Sequence, residues 1–172
     1  MKPLIRTFLF VLLISFTLTS TAKASENIAN IEAMFIYNFL RHVNWPENSN
    51  GNKFIIGVYG TSDIYDQLVQ YTSNRKVGTK SIEILKVNKP ADALMCQLIF
   101  VPTSYTSSIA SINSQLGNKA CLIVGEKEGS NNVGSHIEFV LKDNTLKFRI
   151  NEERARKQNL LLSKSLVDMA IE

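Results

Sequence analysis

The sequence is short of the residues that usually announce a chemistry. Its 172 residues hold two cysteines, two histidines and one tryptophan. Two cysteines cannot build the framework of a disulfide miniprotein. At positions 96 and 121, with no histidine or second cysteine nearby, they also lack metal-ligand spacing. Eight glycines and four prolines exclude collagen-like and low-complexity chains. Charged residues make up 20% against 45% hydrophobic, a balance that excludes disorder. The apolar run from Phe8 to Leu18 falls short of the roughly 18 residues that a stable membrane anchor needs. What remains is a chain long enough to bury one proper core.

That apolar run has a purpose of its own. Lys2 and Arg6 precede it, and Ala22-Lys23-Ala24 follows as a small-x-small cleavage site. This is the three-part pattern of a secretory signal peptide, cleaved to leave a mature chain over residues 25–172. No cysteine precedes Cys96, so no lipid-bearing cysteine stands at the new N-terminus, and no direct membrane anchor is expected. The formal charge of +4 includes Lys2, Arg6 and Lys23, so cleavage leaves a near-neutral domain. The argument for a nucleic-acid partner goes with those charges. A short basic start with no other targeting signal fits a bacterial periplasmic protein. That compartment is oxidising, so Cys96 and Cys121 can pair. Each opens a short apolar run, and neighbouring strands would put both at one sheet end. A bridge there would contribute about 3 kcal/mol in the chain-entropy model. Two buried free thiols acting as small apolar residues are the alternative.

Apolar spacing predicts a helix over 26–43 with Ser25 as N-cap, ended by Asn44-Trp45-Pro46. A polar loop, Glu47 to Lys53, leads to a strand from Phe54 to Tyr59 closed by Gly60. Ser62-Asp63 caps a second helix, and Ser81 to Val87 alternates as a strand. Leu98–Val101 and Ala120–Val124 read as buried strands, with a helix over 105–116 between them ending at Gly117. Gly125 to Gly134 reads as a flexible polar loop. Two strands flanking Lys142-Asp143-Asn144 make a hairpin, followed by a helix opened by Asn151 and another by Ser163. Strand–helix alternation implies parallel pairing. The expectation is a single α/β domain: a mixed, mostly parallel sheet flanked by helices, with a C-terminal β-hairpin and helices.

Catalysis has little to stand on. Neither His42 nor His136 has a serine or carboxylate context that suggests a triad. Gly57-x-x-Gly60 lacks the third glycine and the lysine of a phosphate loop, so a tight strand exit is favoured. Glu126 and Glu128 read as solvated. Asn38, amid apolar residues, is expected to hydrogen-bond a neighbouring loop. Lys147 and Arg149 project from one strand face, as anion binders or as solvated charges. Trp45 either plugs the core or anchors a partner. Leu160-Leu161-Leu162 cannot all face inward, so one is open to a partner surface.

The segment Phe35-Ile36-Tyr37-Asn38-Phe39-Leu40-Arg41-His42-Val43-Asn44-Trp45-Pro46, preceded by Glu32-Ala33, resembles the N-terminal motif of the YfiR-like family. Ile55-Ile56-Gly57-Val58-Tyr59-Gly60 is similar to its following strand. Phe148-Arg149-Ile150-Asn151 and Leu160-Leu161-Leu162-Ser163-Lys164-Ser165-Leu166 are similar to its two closing motifs. The resemblance implies a non-enzymatic periplasmic regulator that needs no cofactor. Its partner would be the periplasmic part of an inner-membrane diguanylate cyclase, which it represses, lowering cyclic-di-GMP and biofilm formation. A sensor kinase in place of the cyclase, and a homodimer, stay open. This chain has two cysteines where the family's named member has four, so a two-bridge redox switch is unavailable. The alternative function is a periplasmic small-ligand sensor using the sheet end near Gly60 with Lys147 and Arg149. A hydrolase with an unrecognised site is the third reading.

Overall fold

The computed structural model describes residues 27–46 and 51–172. The export segment, the Ser25 cap expected for the first helix and most of the Glu47 loop lie outside them. Helix α1 spans 27–42 and gives way to β1 (Val43–Asn44). Next come β2 (Lys53–Tyr59), α2 (Ile64–Thr72), β3 (Lys76–Val77) and β4 (Lys80–Val87). A 3-10 turn (Pro90–Met95) leads to β5 (Leu98–Val101), a second (Thr103–Ser108) to α3 (Ile109–Leu116), and then β6 (Leu122–Gly125). The rest is α4 (Ser130–Val133), the hairpin β7 (Ile137–Lys142) and β8 (Thr145–Ile150), α5 (Glu152–Lys157), β9 (Leu161–Leu162) and α6 (Lys164–Met169).

Seven strands form one sheet in the order β3-β4-β2-β5-β6-β7-β8. The five inner strands are parallel, and β3 and β8 join antiparallel at the edges. The expected mixed, mostly parallel sheet is therefore present. Chain order runs outward in both directions from β2, so the winding reverses between β2 and β5. Crevices for ligands form outside the carboxyl ends of strands at such a reversal.

Both faces of the sheet are covered, which is why β5 and β6 are apolar at every position. Ile56, Val58, Leu98, Phe100, Val124 and Phe139 pack under α1 and α2. Phe39 meets Phe148 edge-on at 5.0 Å and stacks on Phe139 at 6.0 Å. Such pairs are each worth about 1 kcal/mol beyond their buried area. Ile99, Val101, Ile123, Cys96 and Cys121 pack under Ile109, Ile112 and Leu116 of α3 on the other face.

Several local expectations change. Helix α1 stops at residue 42 because Val43 and Asn44 pair with Leu162 and Leu161 of β9. The helix expected over 105–116 begins as a 3-10 turn and becomes α-helical only at Ile109. The loop expected to be flexible contains α4, anchored by Ser130, which is wholly buried and bonded Oγ to Oγ with Ser135 at 2.9 Å. Asn38 lies exposed on α1 rather than within its apolar face. The hairpin turn places Asp143 and Asn144 at φ 52° and 55°, left-handed at both positions, as a two-residue turn matching strand twist requires.

Candidate functional site

A cavity of about 340 Å³ opens over the carboxyl ends of β2 and β6, beneath the first turns of α1. Its walls are Ile28, Ala29 and Glu32 of α1, the Ser62-Asp63-Ile64 start of α2, and Glu126. Strand exit dictates this arrangement. Gly60 leaves β2 at φ +70°, and a Cβ there would run into the Tyr105 ring, so glycine alone makes the turn that delivers Ser62 and Asp63. Glu126 follows β6 directly, and its Oε2 accepts a 2.5 Å hydrogen bond from the Thr103 backbone N–H beyond β5. Glu32 falls on the inward stripe of α1 with Ala29, Ala33 and Ile36, and only 3% of its surface is exposed.

Glu32 is the electrostatic centre of this cavity. Burial, with the nearby Glu126 carboxylate, pushes its pKa from 4.5 up to about 8. It is therefore a neutral acid at pH 7. Among the described residues none of those lining the cavity is a cation. Glu126, expected to be solvated, is half-buried in the cavity wall. Its role was hidden because nothing local distinguishes it from Glu128; only the docking of α1 over β6 brings it against Glu32.

The residues singled out in the sequence lie elsewhere. Trp45 is half-buried, donates Nε1–H to the Gln97 carbonyl at 3.0 Å and meets Phe54 edge-on at 4.9 Å. Lys147 and Arg149 share the outer face of the hairpin, opposite Val140 and Glu138. Arg149 bonds Glu128 at 2.6 Å and the Glu172 carbonyl at 2.9 Å, and reaches buried Glu138 at 3.5 Å. Strands β5, β6 and β7 separate this face from Gly60. The register runs from Val101 to Gly125, Glu138 and Arg149, so Lys147 and Arg149 lie at the same end of the sheet as Gly60 but on its far edge. Tyr37 packs edge-on against Tyr71, and the Arg75 guanidinium lies over both rings.

Cys96 and Cys121 are free thiols, fully buried in the α3-side core. Burial pushes the Cys96 thiol up to about 12 and the Cys121 thiol well above its ordinary value, Cys96 adding to the latter. His42 Nδ1 lies 3.2 Å from both Ser163 Oγ and Ser165 Oγ. Ser163 caps α6 by accepting the Leu166 N–H, a structural assignment for that cluster. His136 is fully buried, and its Nδ1 accepts the Ile123 N–H at 2.9 Å, so the proton sits on Nε2. Among the described residues, His136 Nε2, Arg154 Nε and Gln158 Oε1 are buried with no partner at hydrogen-bond distance. Burial and the Arg154 charge lower the His136 pKa to about 3.

These features define a doubly wound α/β protein with an acidic crevice at its winding reversal. The chain belongs to the YfiR/HmsC-like family, whose model matches residues 29–171. This is a family of periplasmic regulatory proteins. No curated protein matches the sequence. Among solved structures, the chain is similar to the ABC domain in complex with L-Trp from Streptococcus pneumoniae, with 14% identity and a TM-score of 0.50. The match covers 68% of this chain and 54% of that one, and shows a shared fold. Among the described residues no helix is long and apolar enough to cross a membrane.

Proposed function

We propose that the chain is exported, cut after Ala24, and acts as a non-enzymatic regulator that binds and represses the periplasmic part of an inner-membrane diguanylate cyclase. Repression lowers cyclic-di-GMP and with it biofilm formation. The family match over residues 29–171 carries this reading. The signal-peptide pattern at residues 1–24 supports the compartment. Of the three suggested contact residues, Trp45 and Arg149 are engaged within the fold. Lys147 is half-exposed and makes no ion pair among the described residues, so it is the contact proposed here. Cys96 and Cys121 are proposed to bridge on export.

Capture of the cyclase's periplasmic part by the chain purified from the periplasm tests the reading. The expected result is a stable complex, weakened by Lys147→Glu, together with a rise in cellular cyclic-di-GMP when the gene is deleted. A deletion that leaves cyclic-di-GMP unchanged, with no complex detected, would overturn it.

A further inference from the structure

The crevice beneath α1 is used neither by the export signal nor by the contact proposed for a partner. It combines three properties. Its volume of about 340 Å³ is at the lower end of small-molecule sites. Ile28, Ala29 and Ile64 give it an apolar wall. Glu32 and Glu126 give it two carboxyl groups close enough to interact. Glu32 is nine-tenths buried, and among the described residues none donates a hydrogen bond to its carboxyl.

We propose that this crevice binds a small aliphatic amine, its ammonium held between Glu32 and Glu126 and its hydrocarbon laid on Ile28, Ala29 and Ile64. Other ligand classes fit less well. An anion finds no cation among the described lining residues. The carboxylate of an amino acid would face Asp63 and Glu126. A metal ion needs ligands that converge, and among the described residues no group of three or more His, Cys, Asp or Glu side chains does so.

Binding exchanges a proton for the ligand. The Glu32 carboxylic acid gives up its proton to solvent, and the carboxylate left behind pairs with the incoming ammonium. Glu126 beyond β6 and Asp63 before α2 are the titratable groups that line the cavity with Glu32 from the neighbouring elements. With Glu32 titrating near pH 8, affinity should weaken roughly tenfold for each pH unit below that value.

Calorimetric titration of the full chain, purified from the compartment where it accumulates, with 1,4-diaminobutane tests the site. Saturable binding is expected, with an enthalpy that changes between buffers of different ionisation heat, reporting proton release. Affinity at pH 8.5 should exceed that at pH 6.5 by at least tenfold. Glu32→Gln keeps the shape of the neutral acid and should fold; it should lose proton release and pH dependence and bind at least tenfold more weakly. Ile28→Lys, at a position 38% exposed, places a competing cation in the wall and should weaken binding without unfolding the chain. Equal binding of the neutral analogue 1,4-butanediol, unchanged binding in Glu32→Gln, or no binding of the diamine at any pH would refute the site. None of these outcomes depends on capture of a cyclase.

Discussion

Glu32 and His136 are both buried ionisable residues, and they bend the pH dependence of stability in opposite directions. Glu32 titrates near 4.5 when unfolded and about 8 when folded. Between those values the folded state holds the extra proton, so stability falls as pH rises. His136 titrates near 6.5 unfolded and about 3 folded. Between those values the unfolded state holds the extra proton, so stability rises with pH. Below pH 4.5 the histidine acts alone, and above 6.5 the glutamate acts alone. In between, the two slopes, each at most about 1.4 kcal/mol per pH unit, cancel. Thermal unfolding midpoints should therefore form a plateau between about pH 4.5 and 6.5 and fall on either side. Glu32→Gln should remove the alkaline fall and keep the acid one. A wild-type midpoint that climbs from pH 7 to 8 would sink this account.

Glu32 was half-legible from sequence. Its spacing from Ala29, Ala33 and Ile36 puts it on the inward stripe, but what faces it comes from β6, far along the chain. His136 carried no such sign, because a histidine at a strand start looks the same buried or exposed. Trp45 was legible as a choice between core and contact, and its bond to Gln97 gives it a role inside the fold.

At the scale of elements, the strands were the most legible part. Leu98–Val101 and the hairpin follow from apolar runs bounded by turn residues. The segments that escaped are those whose structure depends on remote pairing. Strand β1 exists only because β9 returns to it, and α4 is held by a buried serine pair in a stretch rich in glycine and asparagine. The cysteines belong to this scale, since they precede the neighbouring strands β5 and β6. Bridge formation needs a thiolate, and burial holds both thiols protonated. A bridge should therefore form while the chain folds and not after α3 has closed over the sheet. Refolding in an oxidising glutathione buffer should give the Cys96–Cys121 bridge on non-reducing mass mapping. The same buffer added to folded, reduced protein should leave both thiols alkylatable only after denaturation. Free thiols in the refolded sample would remove the bridge from the proposal.

Arg149 ties β8 to β7, to the loop after β6 and to the chain's last residue, and it is the link whose loss should be felt across all of them. Removing it leaves Glu138 buried without its cation, although the Asn131 N–H still bonds that carboxylate at 2.8 Å. Arg149→Met should lower the unfolding midpoint, and adding Glu138→Gln should recover part of the loss. An unchanged midpoint in the single variant would show that the cluster is only solvated charge.

For the whole molecule, the question is what keeps a seven-stranded open sheet from pairing with a second one. Unpaired edge strands invite chain-to-chain addition unless blunted. The β4 edge carries Lys80, Glu83 and Lys86, and β3 covers only its first turn of pairing. The β8 edge is closed differently. The Ile171 N–H bonds the Phe148 carbonyl at 2.9 Å, and Arg149 Nε bonds the Glu172 carbonyl at the same distance. Two residues thus occupy the edge beside Phe148, a member of the aromatic cluster under α1. Deleting Ile171 and Glu172 frees that carbonyl and the arginine Nε together, while Glu128 and Glu138 still hold the guanidinium. The shortened chain should unfold at lower temperature and show a larger, concentration-dependent mass by light scattering than the intact chain. If its mass and midpoint match those of the intact chain, the tail is not what guards this edge. If the mass grows, the Ile171 bond to the Phe148 carbonyl is what keeps a second chain from adding to this edge.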